Sequence, residues 1–287
     1  MTHPGQLLKD AKLYAGKELG QNFLSNPATA QMIVQKIGIS DTNTVLEIGP
    51  GLGALTIPLA KAALHVTAVE KDSRLIPVLQ QVLDDENLNN IDIINKDILK
   101  IDFHGIAAKT GKKLVVIGNL PYNISSQILF RLVEQRFCIE KAFLMFQKEL
   151  ATRIMAKPGK KDYSRLAAVV HYAADISFIA DIGPASFFPK PEVNSTILQF
   201  KFFHKKELDQ VQEKILFNVI KAGFSKRRKS LKNAMAGGEF KFEKSFIIKA
   251  LEQAGIDPAR RAETLTVEEF KLLAKAVGLP GQQAEKH

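Results

Sequence analysis

Short apolar runs alternate with amphipathic stretches through the first two-thirds of the chain. The apolar runs have the length and residue types of buried strands, and the stretches after them have helical periodicity. The predicted strands are 44–48, 65–69, 91–95, 114–117 and 142–146, and the predicted helices are 54–63, 73–83, 126–134 and 148–155. Strands that alternate with helices predict βαβ units and a mainly parallel sheet.

The pattern changes after residue 165. Residues 166–174 are apolar enough for a helix packed on the sheet, and two strands, 176–182 and 193–203, then follow with only a proline-containing link between them. Strands joined without an intervening helix favour an antiparallel pair at one edge of the sheet. The first domain is therefore predicted to be α/β, with a mainly parallel sheet and an antiparallel edge.

Only helical patterns remain beyond Lys205. They cover 208–222, 242–254 and 267–276, and the last begins with Thr266 and Glu269 in the spacing of a capping box. We predict two domains: an α/β domain over 1–205 and a small all-α domain over 206–287.

Positive charge is denser in the second of these domains. The chain has a net charge of +10; 17 basic and 11 acidic residues lie from Lys205 onward, against 23 and 19 before it. Such a surplus attracts polyanions. The most basic run predicts phosphate contacts by Lys221, Lys226, Arg227, Arg228, Lys229 and Lys232. Further basic residues at 148, 153, 157, 160, 161 and 165 are expected to extend this surface.

Cysteine content and hydropathy exclude several classes of protein. The single cysteine, Cys138, rules out an intramolecular disulfide framework and a Cys-rich zinc site, and no metal is expected. The N-terminus carries charges throughout, and no apolar run approaches the roughly 18 residues of a membrane span. A cytoplasmic, monomeric protein without a membrane partner is expected.

Candidate ligand-binding residues follow successive predicted strands. The first strand ends in Glu47-Ile48-Gly49-Pro50-Gly51-Leu52-Gly53, a glycine turn that opens the next helix. Glu70, Asp97 and Asn119 stand at the ends of the next three strands. Ligands of open parallel sheets bind at the carboxyl ends of the strands, so the set predicts a cofactor that contains a nucleoside. S-adenosylmethionine has ribose and adenine but no phosphate, and it suits an acidic first turn better than NAD does.

The stretch Asn119-Leu120-Pro121-Tyr122 is suited to methylation of an exocyclic amine. The lone pair of such an amine is delocalised into the base, and two acceptors that bind its N–H groups can free it. The side-chain oxygen of Asn119 and the carbonyl of Leu120 fit this task, and Pro121 fixes the backbone between them and Tyr122. Tyr122 offers a face on which the base can stack.

These motifs together resemble the rRNA adenine N6,N6-dimethyltransferase family. The matching segments are Gly20-Gln21-Asn22-Phe23-Leu24, residues 46–53, 69–72 and 119–122, Phe187-Phe188-Pro189-Lys190-Pro191-Glu192-Val193-Asn194-Ser195, and the C-terminal segment 255–265. Asn194 stands where we expect Asp in the family. The resemblance implies a Rossmann-like class I methyltransferase fold, with S-adenosylmethionine bound by Asn22, Leu24, Gly49, Gly51, Glu70, Asp97 and Asn119.

The resemblance also implies the substrate. Asn119, Leu120, Pro121 and Tyr122 would hold the target amine, and Phe187 would close the other face of the flipped base. The implied partner is the small ribosomal subunit, in which two adjacent adenosines near the 3′ end of 16S rRNA are each dimethylated during ribosome biogenesis.

Alternative functions remain at this stage. Resistance methylases that modify large-subunit rRNA share the Asn-Leu-Pro-Tyr type of motif, but the segment 255–258 favours the small-subunit type. Non-catalytic nucleic-acid-binding factors use the same fold, although the cofactor motifs here are complete. An NAD oxidoreductase is disfavoured by residues 119–122.

Overall fold

Buried apolar strands form the centre of the fold, as the alternating pattern predicts. The structure is a computed structural model, which describes residues 2–16, 18, 20–121, 123–236 and 243–278. Within these residues the strands are β1 (Phe23–Leu24), β2 (Thr44–Ile48), β3 (His65–Glu70), β4 (Ile91–Asn95), β5 (Leu114–Asn119), β6 (Ile139–Gln147), β7 (Ala174–Ile182), β8 (Phe187–Phe188) and β9 (Ser195–Phe202).

The helices are numbered in the order in which they occur along the chain. In the described residues they are α1 (Pro4–Asp10), α2 (Pro27–Ile37), α3 (Thr56–Ala62), α4 (Ile76–Asp85), α5 (Phe103–Thr110), α6 (Ser125–Glu134), α7 (Lys148–Met155), α8 (Arg165–Ala173), α9 (Gln210–Gly223), α10 (Leu231–Ala236), α11 (Lys244–Gln253) and α12 (Val267–Val277). The sequence pattern does not predict β1, β8, α1, α2, α5 or α10.

The main sheet has seven strands among the described residues, in the order β4-β3-β2-β5-β6-β9-β7. The strands from β4 to β6 are parallel to one another, whereas β9 runs antiparallel to both β6 and β7. The prediction of a mainly parallel sheet with an antiparallel edge is confirmed. The order changes direction beside β2, where the chain passes outward to β3 and β4 and then returns to β5.

The central parallel strands are buried on both faces. Val45 and Leu46 of β2 and Val115 and Val116 of β5 are fully inaccessible to solvent. Strands covered on both faces read as continuous apolar runs rather than as alternating ones, which explains why these strands are visible in the sequence.

A second, two-stranded sheet connects the N-terminal part of the chain to the phenylalanine pair near residue 187. β1 and β8 pair antiparallel, with Phe23 opposite Phe188 and Leu24 opposite Phe187. A two-residue strand has no detectable periodicity, so the sequence could not predict this pairing.

The chain divides into two units. One contains residues 1–151 and 174–202, and the other contains residues 152–173 and 203–287. The predicted domains, 1–205 and 206–287, stay a prediction. The division found here differs from them chiefly in that residues 152–173, which include the end of α7 and all of α8, are grouped with the C-terminal helices. Within the second unit Tyr172 of α8 stacks edge-on against Phe217 of α9, with ring centroids 5.7 Å apart, and donates a hydrogen bond of 2.8 Å to Glu213. The predicted helix at 166–174 is thus present, but in a different unit from the sheet on which it was expected to pack.

The C-terminal helices of the second unit are capped as their sequences indicate. The predicted capping box of Thr266 and Glu269 is confirmed at the start of α12, and Asp209 and Gln212 form another at the start of α9. Each reciprocal pair satisfies two backbone N–H groups that the helix itself leaves without partners.

The described residues contain neither a membrane-spanning helix nor a metal-ligating cluster. None of the helices described has the length and apolar character that a membrane crossing needs. In the same residues no group of three or more His, Cys, Asp or Glu side chains is placed to hold a metal ion.

Candidate active site

A cavity of about 200 Å³ opens at the carboxyl ends of the parallel strands, within the first unit. Its lining contains nine of the residues predicted to form the site: Asn22, Leu24, Gly49, Gly51, Glu70, Asp97, Asn119, Leu120 and Pro121. Strand register explains this convergence, because Ile48 lies opposite both Val69 and Gly118, and Glu70 lies opposite Asn95. Parallel strands in register bring residues from distant parts of the sequence to one edge of the sheet.

Two glycines of the turn after β2 have different surroundings: Gly49 faces open space, and Gly51 lies against the ring of Phe23. Gly49 has a φ of +68°, and a Cβ atom built there would meet nothing within 4 Å, so any side chain would project into open space. Gly51 has a φ of +56°, and a Cβ there would lie 2.9 Å from the ring of Phe23. Both positions need the left-handed backbone that glycine adopts readily, but Gly51 is also required by the packing of β1 against the turn.

Glu70 is held by the backbone of two neighbouring turns. Its carboxylate accepts hydrogen bonds from the N–H of Gly51 (3.1 Å) and of Asp72 (2.8 Å). Burial raises the pKa of Glu70, and these backbone hydrogen bonds oppose the shift. Each carboxylate oxygen keeps a further lone pair, so the group can still accept hydrogen bonds from two adjacent hydroxyls.

Asp97 lies in the loop after β4 and is already engaged. One of its oxygens accepts from the N–H of Leu99 at 3.0 Å, and the other lies 2.8 Å from Nζ of Lys71. The Lys71 ammonium lowers the pKa of Asp97. The side chain is therefore ionised at neutral pH and fixed in direction.

Glu47 is a functional candidate that was not selected from the sequence. It lines the cavity and is 1% exposed. Among the described residues no hydrogen-bond partner lies at its Oε2. Burial raises the pKa of Glu47 to about 8, and the nearby charge of Glu70 adds to the shift. The sequence shows Glu47 as the acidic residue before the glycine turn, but it does not show that this side chain is buried.

Asn119, the last residue of β5, contacts the backbone of residue 22, just before β1. Its side-chain Nδ2 donates a 2.8 Å hydrogen bond to the main-chain carbonyl of Asn22. Gly118 allows this strand end to approach β2 closely, because a Cβ there would lie 3.0 Å from both the side chain and the carbonyl oxygen of Ile48. Close packing of β5 against β2 therefore requires glycine at position 118.

The backbone on both sides of the Leu120 carbonyl is fixed. The N–H of Leu120 donates to the carbonyl of Met145 at 3.3 Å, and the hydroxyl of Ser125 donates to the carbonyl of Pro121 at 2.7 Å. Serine is a favoured N-cap residue, but the N-cap of α6 is Ile124, and Ser125 is the first helical residue. Its hydroxyl instead bonds backward across the turn. Tyr122 lies outside the described residues.

Phe187 is not among the cavity residues. It is 4% exposed and belongs to the buried apolar cluster that also contains Leu24 and Ile33. Its partner across the two-stranded sheet, Leu24, does line the cavity. Phe188 is more exposed and packs edge-on against His3. The stacking role predicted for Phe187 stays a prediction.

The basic run of the second unit is exposed and anchored to a second basic loop. Lys226, Arg227, Arg228 and Lys229 are exposed, while Lys221 and Lys232 are half-buried. The guanidinium of Arg227 donates a 2.6 Å hydrogen bond to the carbonyl of Lys161. The run is also fixed at its end, where the N–H of Leu231 donates to the carbonyl of Arg260 at 2.7 Å. The loop at 157–161 and the run at 226–232 are therefore neighbours on one surface of this unit.

The sheet order, the glycine turn and the cavity at the strand ends define a Rossmann-like methyltransferase. The model of the ribosomal RNA adenine dimethylase family matches residues 14–277 of this chain. The chain belongs to the ribosomal RNA adenine dimethylase family, and the enzyme class expected from the sequence is confirmed.

Individual relatives agree with this assignment. The chain is 55% identical over 277 residues to "Ribosomal RNA small subunit methyltransferase A" of Desulforapulum autotrophicum, covering 96% of this chain and 97% of the relative. A dimethyladenosine transferase from Plasmodium falciparum has a similar structure, with a TM-score of 0.74 and 28% identity over 88% of this chain and 95% of its own. The 23S rRNA methyltransferase ErmE shares the fold, with a TM-score of 0.64 and 24% identity over 90% of this chain and all of its own.

Proposed function

We propose that the protein uses S-adenosylmethionine to dimethylate N6 of two adjacent adenosines near the 3′ end of small-subunit (16S) rRNA during ribosome biogenesis. The observation that carries this proposal is the placement of Asn119 and Leu120 at the edge of a cavity that suits a nucleoside. The proposed substrate rests on the relative with 55% identity, which is named as a small-subunit enzyme.

The described residues fit S-adenosylmethionine in three ways. The open space at Gly49 admits a ligand against the backbone, the carboxylate of Glu70 can accept from two ribose hydroxyls, and the unpartnered oxygen of Glu47 can accept from the ammonium group of the methionine portion. Asn22, Leu24, Gly51 and Asp97 complete the proposed cofactor contacts. When bound, the cofactor supplies an electrophilic methyl group on its sulfonium.

The residues of the chain then bind and orient the amine. Asn119 Oδ1 and the carbonyl of Leu120 accept its two N–H groups, which draws the nitrogen lone pair out of the ring and toward the methyl. Tyr122 and Phe187 are proposed to bracket the base. The amine becomes strongly acidic only after it has gained the methyl, so no side-chain base has to act before the attack. Positioning supplies most of the rate enhancement.

The second unit is proposed to bind the RNA backbone. Lys226, Arg227, Arg228 and Lys229 form an exposed surface to which Lys221, Lys232 and the loop at 157–161 contribute. Phosphate contacts position an RNA without reading its sequence, so the choice of adenosine falls to RNA shape and to the cavity. We propose that the protein acts as a monomer, in the cytoplasm where its proposed substrate is assembled.

The test of this proposal is methyl transfer from labelled cofactor to three substrates: unmodified small subunits, unmodified large subunits and protein-free 16S rRNA. We expect label on small subunits, at two adjacent adenosines near the 3′ end of the rRNA. Label confined to large-subunit RNA would identify a resistance-type methylase instead. Binding of RNA without any transfer would favour a non-catalytic factor on the same fold.

Replacement of Lys226, Arg227 and Arg228 together by glutamine is expected to weaken small-subunit RNA binding and to reduce its salt dependence. Each phosphate that the protein no longer neutralises lowers the slope of log affinity against log salt by about one. The measurement is the equilibrium affinity over a series of salt concentrations.

The matched control for this variant replaces three exposed lysines of the first unit, Lys36, Lys109 and Lys113, by glutamine. It removes the same charge and should leave the slope near that of the unmodified protein. An equal reduction of slope in the two variants would mean that net charge, and not this surface, determines RNA binding.

A further inference from the structure

We infer that the main-chain carbonyl of Asn22 sets the orientation of the Asn119 amide, and that Gln21 is a positioning residue that holds this carbonyl in place. The inference rests on the proposed function, because it concerns how the target amine is received. It assigns to residues 20–24, called here the N-terminal segment, a role in the chemical step in addition to any contact with the cofactor.

The hydrogen bond between Asn119 and Asn22 decides which way the amide faces. The two ends of an amide side chain are nearly indistinguishable in shape, and their assignment depends on hydrogen-bond partners. A main-chain carbonyl can only accept a hydrogen bond, so the atom of Asn119 that lies 2.8 Å from it must be the nitrogen. Oδ1 of Asn119 then faces away from Asn22, as required for accepting from the amine of a substrate.

Gln21 ties the N-terminal segment to two other parts of the first unit. Its Oε1 accepts from the N–H of Gly16 at 2.7 Å, and its Nε2 donates to Oδ2 of Asp72 at 3.0 Å. Both ends of this amide are therefore used, and the residue next to it, Asn22, presents its carbonyl to Asn119. The side chain of the next residue, Phe23, packs against Gly51. This contact fixes the segment on the C-terminal side of Asn22.

Asp72 gives Gln21 a rigid anchor. The guanidinium of Arg74 binds Asp72 through two hydrogen bonds, of 2.8 and 2.7 Å, and lowers the pKa of Asp72 to about 2. The backbone N–H of Asp72 donates to Glu70, the proposed ribose-binding residue. One chain of contacts thus runs from the cofactor side of the cavity through Gln21 to the residue that receives the amine.

This arrangement predicts why position 119 requires an amide. An aspartate there would set a carboxylate oxygen against the carbonyl oxygen of Asn22, and the two would repel. The protonated acid would instead donate its O–H to that carbonyl and leave its other oxygen free to accept the amine. The Asn119→Asp variant should therefore be active only in its protonated form.

The first test is the pH profile of Asn119→Asp divided by that of the unmodified protein. Among the described residues, the ionisable ones that line the same cavity are Glu18, Glu47, Glu70, Lys71, Lys96 and Asp97. The ratio cancels effects of titration that are common to both proteins. We expect kcat of the variant to rise relative to the unmodified protein by up to roughly tenfold for each unit that the pH falls, until the acid is protonated. A ratio that does not change with pH would overturn the inference.

The second test uses Gln21→Leu, with Gln80→Leu as the matched control. Gln80 is exposed, and its amide donates a hydrogen bond to Asp84 one turn later in α4. At saturating cofactor and RNA, we expect kcat of Gln21→Leu to fall by roughly tenfold to a hundredfold, with cofactor affinity by equilibrium dialysis changed less than threefold (about 0.7 kcal/mol). Unchanged kcat, or a loss confined to cofactor affinity, would contradict a positioning role.

A readout independent of turnover separates this inference from the proposed function. The side-chain amide resonance of Asn119 in the 15N spectrum, assigned by its absence in Asn119→Asp, should shift in Gln21→Leu and stay in place in Gln80→Leu. An unshifted resonance in Gln21→Leu would overturn the inference even if the enzyme is active. A shifted resonance in a protein that methylates no RNA would instead refute the proposed function alone.

Discussion

The Asn119→Ala variant is expected to lose methyl transfer by at least about two to three orders of magnitude while it binds small-subunit RNA almost as well as the unmodified protein. Alanine removes the oxygen proposed to accept the amine, and it also removes the hydrogen bond to the carbonyl of Asn22. Losing one preorganised hydrogen-bonding group at a reacting centre has typically this effect on kcat. The affinity for RNA should stay nearly unchanged, because the basic run lies in the second unit and Asn119 lies in the first.

The measurement pairs single-turnover methyl transfer with an RNA-binding titration on the same preparation. Asn89→Ala is the matched control, since Asn89 is exposed in the loop that precedes β4, at the end of the strands opposite to the cavity. We expect it to keep normal turnover. Near-normal turnover of Asn119→Ala would remove Asn119 from the amine site, and a parallel loss of RNA affinity would indicate that the substitution acts through RNA binding.

The central strands of the parallel sheet could be predicted from the sequence because they are buried on both faces. Residues 44–48 of β2 are buried throughout, so the apolar run in the sequence has the same limits as the strand. The elements that were missed lack such a signal. Helix α1 has only seven residues and buries two of them, Pro4 and Leu8, and β1 has two residues. Their positions depend on tertiary contacts, which periodicity does not report.

Helix α8 belongs to the unit of the C-terminal helices, which the sequence pattern did not predict. Apolar periodicity predicts that a helix buries a face, but it does not say against what. Tyr172 places an aromatic ring against Phe217 and a hydroxyl against Glu213, so both the apolar and the polar parts of this side chain find partners in the C-terminal helices. Those partners lie 41 and 45 residues away in the sequence, which local reasoning cannot connect.

Some features of the candidate site could likewise be predicted from the sequence, and others could not. Side chains at the carboxyl ends of parallel strands were identified because the geometry of the fold brings them together. The contact between Asn119 and Asn22 was not, because its acceptor is a main-chain atom and any residue at position 22 would supply it. The burial of Phe187 was also not evident, since a phenylalanine beside prolines reads equally well as core or as a stacking surface.

The Glu47→Gln variant is expected to be more stable than the unmodified protein near pH 7 and to bind the cofactor more weakly. The folded-state pKa of about 8 exceeds the ordinary value of 4.5, so the folded protein retains a proton that the unfolded chain releases. Stability is therefore lost as the pH rises from about 4.5 to about 8. At pH 7 this corresponds to roughly 3 kcal/mol, which glutamine would recover because it carries no ionisable proton.

The same substitution should reduce affinity for S-adenosylmethionine by roughly tenfold to a hundredfold, because a hydrogen bond to a charged group contributes about 1.5–3 kcal/mol. A cationic ligand favours the ionised form of Glu47, so binding to the unmodified protein should release a proton and strengthen as the pH rises toward about 8. Glutamine should abolish this pH dependence.

Urea unfolding at a series of pH values, with and without cofactor, tests both effects of Glu47→Gln. The stability gained by the variant should grow between about pH 5 and about pH 8. Glu140→Gln makes the same replacement at an exposed residue of β6 and is the matched control. A stability difference that is constant with pH would mean that Glu47 is ionised in the folded protein, and its buried oxygen would then need a cationic partner already present within the fold.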